Sequence, residues 1–237
     1  MAGNIMTGIV YRTLLENVVE AIRNKILNRE LKPGMRIIEQ EISEELNVSR
    51  GPIREAFRQL EQEGLVDYKR NMGCSVKEVS FEDVFEVYVL RGTYEILAVK
   101  SFKGTIPSQA VERIGKALEK MKNLVGKSYN ELVCFDNMFH DSIVEETGMA
   151  RLIKAWHDLD YATILSCSTE TEDCKVVTKQ QYEIHKKIYD AYLTNDTATI
   201  CNAIATHYTQ TLIRKMKEQG LSEETFKFST DIMTALL

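Results

Sequence analysis

Only three prolines, at positions 33, 52 and 107, interrupt 237 residues. A proline inside a helix removes a hydrogen bond and collides with the preceding turn, so this scarcity leaves long stretches free to be helical. The apolar residues use that freedom. Leu14, Leu15, Val18, Val19, Ile22 and Ile26 recur every three or four positions and predict an amphipathic helix over 11–29. Lys32-Pro33-Gly34 is a turn, and Ile38 to Leu46 predicts a second, shorter helix with Ile42 and Leu46 on one face. After the break Asn47-Val48-Ser49, Ser49 is placed to cap a third helix that runs to about Glu63, with Pro52 in its first turn and Gly64 just past its end. Leu65–Lys69 and Cys74–Val79 read as two strands of a hairpin around Arg70-Asn71-Met72-Gly73.

Beyond Ser80 every segment reads as helix: near 81–101, 107–125, 128–146, 149–166, 175–194, 196–219 and 221–236. Asn195 or Asp196 caps the sixth of these and Gly220 closes it. The fold class is therefore mainly α. Residues 1–79 form one unit of three helices and a hairpin, and residues 80–237 form an all-helical bundle. Apolar residues make up 44% of the chain, enough for a sizeable core, yet no apolar run exceeds four residues. That excludes a bilayer-spanning helix and a secretory signal core. Five cysteines, with no C-x-x-C, then read as reduced thiols of a cytoplasmic protein. Cys167 and Cys174 are close enough in sequence for a redox pair to be the alternative.

The net charge of −5 lies wholly in the second unit: residues 1–79 hold 12 basic and 12 acidic side chains, leaving 18 and 23 for the rest. A neutral unit can still present a local basic face, since phosphate contacts act within a Debye length. Three helices followed by a two-stranded wing is the winged helix-turn-helix pattern, in which the helix after the turn enters the major groove. That helix carries Arg50, Arg54 and Arg58 at i, i+4 and i+8, one cationic stripe whose planar forks match guanine and phosphate. Lys69, Arg70 and Asn71 sit at the wing tip. The alternative is a solvated arginine face paired with Glu55 and Glu61.

The stretches Leu31-Lys32-Pro33-Gly34-Met35-Arg36-Ile37, Val48-Ser49-Arg50-Gly51-Pro52-Ile53-Arg54-Glu55-Ala56 and Leu60, Glu63-Gly64-Leu65-Val66 and Gly73 resemble the GntR family of bacterial transcription regulators over residues 10–79. The resemblance implies double-stranded operator DNA as a partner, with Ser49, Arg50, Arg54, Asn71 and Gly73 contacting it. Gln40 stands where some members carry a basic contact.

The chain's four histidines are His140, His157, His185 and His207. Asp136 and His140 share one helix face at i, i+4 with Leu132, Val133 and Ile143. His185 lies on the stripe Tyr182–His185–Tyr189–Tyr192, and His207 on Ile200–Ala203–His207–Thr211. Burying three imidazoles and a carboxylate separately is costly. Held around one divalent cation (Zn, Ni, Mn or Fe) they become stable, although separately satisfied core histidines remain open on spacing alone. His157 has no ligand-spaced partner and reads as structural or cavity-lining.

Residues 81–220 resemble the FadR C-terminal (FCD) effector domain. The resemblance implies that Asp136, His140, His185 and His207 ligate a metal and that a small organic acid approaches it. It also places Arg91 near the start of the domain's first helix, facing the ligand. A surface pair with Glu95 is the alternative for Arg91, and Tyr161 and Tyr189 are candidate cavity walls. The implied protein is a homodimer on palindromic DNA, controlled by a carboxylate effector, and is not an enzyme. A regulator that senses the metal itself, a metal-dependent hydrolase fused to a DNA-binding unit, and a purely structural metal are the rival readings.

Overall fold

The computed structural model describes residues 13–69, 72–124, 129–159, 174–224, 226 and 229–237. Helix α1 (Leu14–Leu27) opens on a capping box in which Thr13 accepts from the Glu16 amide and Glu16 accepts from the Thr13 amide. α2 (Glu39–Leu46) ends at Asn47 in the left-handed conformation, which breaks the chain direction before α3 (Arg50–Gln62). Gly64, at φ +77°, ends α3 with the paired bonds of a Schellman motif, Leu65 N–H to Leu60 and Gly64 N–H to Glu61.

The hairpin strands are β2 (Val66–Lys69) and β3 (Gly73–Val76). They are joined by a strand absent from the sequence reading, β1 (Arg36–Ile37), which pairs antiparallel with β3 in the order β1-β3-β2. Two residues carry no alternation that could announce a strand. What holds β1 is its register, Arg36 opposite Ser75 and Ile37 opposite Cys74. Val18, Ile22, Ile26, Ile53, Phe57, Leu60 and Leu65 fill the core beneath these elements.

A second capping box, Ser80 with Asp83, starts α4 (Phe81–Ser101). It is followed by α5 (Ser108–Lys122), α6 (Tyr129–Glu146), α7 (Ala150–His157), α8 (Cys174–Leu193) and α9 (Thr197–Glu218). Asp196 caps α9 by accepting from the Thr199 amide at 2.8 Å, and Gly220, at φ +70°, follows its end. Residues 160–166 of the helix expected over 149–166 lie outside the described residues, as do Tyr161 and Cys167.

The helix expected over 221–236 is a correction. The chain turns after Gly220 and ends in a 3-10 helix at Thr230–Leu236. Among the described residues of this segment, Met233 is fully buried and drops onto Gly92 of α4, where a Cβ would collide with the methionine methyl group, and Phe226 packs edge-on against Phe81 and Phe85. Tertiary contacts of Phe226 and Met233, not a helical apolar period, set the course of this segment.

The helical core is built around Phe85, Ile96, Phe139, Ile143, Trp156, Ile204 and Leu212. It is not sealed off from the first core. Val133 of α6 packs into the cluster under α1–α3, and Val79 packs against both clusters. No described helix is long and apolar enough to cross a membrane.

Candidate functional site

On α3 the arginine stripe is exposed, and each member is held by a neighbour. Arg50 donates to Gln40 Oε1 at 3.2 Å, Arg54 pairs with Glu39 at 2.9 Å, and Arg58 pairs with Glu55. The partners expected for a solvated face were Glu55 and Glu61; two of the three arginines are instead held from α2, so α2 orients the stripe. Ser49 occupies the N-cap position, but its side chain makes no capping bond. The Arg36 guanidinium reaches across to the Met72 carbonyl and lies against Gly73, whose φ of +117° suits glycine. Arg36, Arg54, Arg58, Met72 and Gly73 thus line one cleft between α3 and the hairpin. Lys69 is exposed beside it, while Arg70 and Asn71 lie outside the described residues.

In the bundle, α6, α8 and α9 bring His140, His185 and His207 together, all buried, with one ligand atom of each within 4.8 Å of the others. His185 Nε2 lies 3.1 Å from His140 Nε2 and 3.0 Å from Asp136 Oδ1. The far sides of two rings fix their tautomers. His185 Nδ1 is 2.7 Å from the Gln181 carbonyl and His140 Nδ1 is 2.8 Å from Glu95 Oε2. A carbonyl and a carboxylate only accept, so both Nδ1 atoms carry hydrogen; with both rings neutral the two Nε2 lone pairs would face each other, and a proton on His185 Nε2 would instead donate to Asp136. Two facing lone pairs at that distance require a shared proton or a cation. Among the described residues, His207 Nδ1 is buried with no hydrogen-bond partner. Three imidazoles, an adjoining carboxylate and an orphaned nitrogen suit a divalent metal of the Zn, Ni, Mn or Fe kind.

Burial alone would raise the Asp136 carboxyl, but the hydrogen bond from His185 and the charges of His185, His140 and Arg91 hold it well below the usual carboxylate range. Burial pulls His140 down, yet Glu95 outweighs it and raises the imidazole. Burial, reinforced by His185 and His140, drives His207 well below its ordinary value and keeps it a neutral base. Tyr208 also donates to Glu95 Oε2, at 3.1 Å.

His140, His207 and Asp136 open onto a cavity of about 50 Å³, lined on its apolar side by Leu132, Val133 and Val177. A water needs roughly 10–15 Å³, so the space takes a small molecule. Arg91 lines it, 2% exposed, with its guanidinium 4.1 Å over the Trp156 ring and an Nη donating to Asn137. It stands in the middle of α4, not near its start, and away from the surface, which removes the surface-pair alternative with Glu95. Three residues that sequence reasoning missed belong here. Glu95 was read only as a surface partner for Arg91. Arg214 and Lys215 look like ordinary cations of a helix's last turns, although their spacing from His207 places them on its face. His157 neither packs in the core nor lines the cavity; it pairs with Glu145 at the surface. Tyr189 lies elsewhere, against Gly115.

Comparison with known proteins bears on both halves. Residues 14–76 match the family described as bacterial regulatory proteins, gntR family, and residues 86–210 match the FCD domain. The chain is 32% identical over 126 residues to the uncharacterized HTH-type transcriptional regulator YdhC of Bacillus subtilis, a match spanning 52% of this chain and 56% of that one. It is 26% identical over 196 residues to a probable D-xylose utilization operon transcriptional repressor of Paenarthrobacter nicotinovorans, covering 82% of this chain and 85% of that one. The aligned segment therefore spans about half the length of YdhC. Among solved structures, a putative GntR transcriptional regulator from Rhodococcus sp. RHA1 shares the fold with a TM-score of 0.72 at 22% identity, covering 86% of this chain and 97% of the other. E. coli McbR/YncC does so with a TM-score of 0.71 at 19% identity, over 88% and 100%. The named relatives are transcriptional regulators and repressors, not enzymes.

Proposed function

The chain belongs to the gntR family of bacterial regulatory proteins and carries the FCD domain, and from that premise we propose that it is an operator-binding transcription regulator controlled by a small carboxylate at a metal centre. Residues 1–79 act as a winged helix-turn-helix. Arg50 and Arg54 read base edges from the N-terminal turns of α3, and Ser49 and Arg58 hold the backbone. The wing residues Lys69, Arg70, Asn71 and Gly73 reach the adjacent groove or phosphates. Two copies pair through residues 80–237, so that two recognition helices meet the half-sites of a palindrome.

Asp136, His140, His185 and His207 hold the divalent metal, which when bound supplies a Lewis-acidic seat for an anionic oxygen. Arg91, which lines the same cavity, offers the acid a planar fork. Ligand that orders the cavity then shifts the bundle between two arrangements and alters how the DNA-binding units sit. Linkage makes the effect reciprocal: effector weakens operator binding by the same factor as operator weakens effector. A hydrolase reading would need a general base facing the cavity. Glu95, the buried carboxylate beside His140, does not line it.

The observation that carries this reading is the convergence of His140, His185 and His207 beside a small cavity whose wall residue Val133 also packs in the core of the DNA-binding unit. The test is elemental analysis of protein purified without a nickel column, wild type beside His207→Ala. About one equivalent of metal in wild type, lost in the variant, is expected. Metal-free wild type that also fails to take up Zn, Ni, Mn or Fe on titration would sink the metal-centred reading.

A further inference from the structure

The cleft between α3 and the hairpin, about 500 Å³, is lined by Arg54 and Arg58 of the helix and by Met72 and Gly73 of the wing. A third arginine in it, Arg36, comes from neither: it stands on β1, the strand that pairs with β3. Strand alternation sends Ile37 into the core and leaves Arg36 exposed on the outer face.

Two features aim this side chain along the wing. Its guanidinium donates to the Met72 carbonyl at 3.3 Å, and Gly73 leaves it room, since a Cβ there would lie 3.2 Å from an Arg36 Nη. The carbonyl is a neutral acceptor and takes one of five N–H donors, so the positive charge is kept. The α3 arginines differ: Arg54 is paired with Glu39 and Arg58 with Glu55. Asp67 shares the outer face of the sheet with Arg36. It stands on β2 with Ser75 of β3 between them, two strand spacings or about 10 Å away along the sheet.

In duplex DNA one sugar-phosphate strand separates each major groove from the minor groove beside it. A recognition helix in the first and a wing at the second straddle that strand, which then runs over the cleft between them. A guanidinium matches a phosphate there with parallel N–H bonds. Resting on the winged-helix docking proposed above, we infer that this cleft seats the strand between the two grooves and that Arg36 contacts one of its phosphates. The Met72 carbonyl holds the fork while its other donors meet the phosphate oxygens. β1 thus contributes to DNA binding although it enters neither groove.

A phosphate contact carries no sequence information, so it is measured without knowing the operator. The probe is a mixed-sequence duplex of about 30 base pairs, long enough for two half-sites one helical turn apart. The full chain is titrated with it over a salt series. Arg36→Gln keeps a neutral donor for the Met72 carbonyl and removes the charge, whereas Arg36→Lys keeps the charge and loses the planar fork. For each chain bound, the glutamine variant is expected to bind about tenfold more weakly at low salt. Its slope of log affinity against log salt should flatten by about one unit. The lysine variant should keep the wild-type slope. If the glutamine variant lacks a cooperative melt, Arg36→Met is read the same way. An unchanged slope in the glutamine variant would overturn the assignment and leave Arg36 as a clamp on the wing. A slope flattened equally in the lysine variant would overturn it too, because the course of the wing and not the charge would then be at stake. Wild-type protein that binds the duplex with no salt dependence would take the docking reading down with it.

Discussion

His140 and Glu95 meet in the bundle core, Nδ1 to Oε2 at 2.8 Å, with both side chains 1% exposed. The contact leaves one direction open to the imidazole lone pair: towards His185 and His207. Tyr208 steadies the same carboxylate oxygen, and burial together with the Glu95 charge raises the Tyr208 hydroxyl well above its ordinary value, so it remains a donor. A ligating histidine whose other nitrogen donates to a carboxylate is fixed in orientation and made more basic.

Replacing Glu95 by Gln should therefore weaken metal binding about 10–100-fold while keeping the fold, because the amide preserves shape but loses the charge. Competition against a chelator of known affinity reads this directly. Unchanged metal affinity in a variant with a native melting curve would show that His140 needs no such partner.

The arginines of α3 make a separable prediction. Arg50→Ala or Arg54→Ala should cost about 1–3 kcal/mol of discrimination between operator and random DNA if each reads a guanine. Lys69→Ala should weaken both DNAs alike and flatten the salt slope by about one unit. Binding isotherms on both DNAs over a salt series distinguish the two roles. Equal losses on operator and random DNA for Arg54→Ala would reassign it to the phosphates.

What could be read in advance follows physical lines. Histidine is scarce, and on a helix its period against apolar neighbours betrays an inward face, so the three clustered imidazoles could be found one helix at a time. Glu95 could not: it lies 45 residues from His140, and its i+4 spacing from Arg91 imitates a surface ion pair. Lys215 was hidden for the same reason, since a lysine near a helix C-terminus needs no explanation beyond the helix dipole. β1 was invisible because pairing, not propensity, makes a two-residue strand. The segment after Gly220 misled because its apolar residues imitate a helical stripe, whereas Phe226 and Met233 are held by tertiary contacts.

Ser80 and Asp83 cap the helix that leaves the first unit, and the cap has a pH signature. The Ser80 hydroxyl bond, 2.7 Å to Asp83, is the main reason that the carboxyl is held below its ordinary value, against a smaller opposing effect of burial. A lowered folded-state value means that the cap stabilises above the unfolded value near 3.9, and that the contribution is lost as pH falls through the lower folded one. Ser80→Ala should cost about 0.5–2 kcal/mol at neutral pH. Denaturant melts at pH 7 and at pH 3 should show the gap between wild type and variant narrowing in acid. A gap that is constant with pH would mean that the Asp83 charge takes no part.

Val133 is where the two halves share material. It is 6% exposed, packs in the cluster beneath α1–α3, lines the cavity, and stands on α6 one turn before Asp136 and two before His140. Shifting α6 to suit an occupant of the cavity therefore changes a contact inside the DNA-binding unit, with no need for the signal to travel through Ser80–Asp83 alone. A close-packed core responds to such shifts because it has no slack to absorb them. Val133→Ala removes the shared contact without touching Asp136 or the clustered histidines. It should lower stability by about 1–2 kcal/mol and leave metal content intact. Its informative effect is on coupling: the ratio of operator affinities with and without effector should move towards one, while effector still binds. That ratio is measured on one protein preparation by titrating operator at zero and saturating effector. If Val133→Ala keeps the wild-type ratio, α6 does not carry the signal, and the capped junction at Ser80 becomes the route to test next.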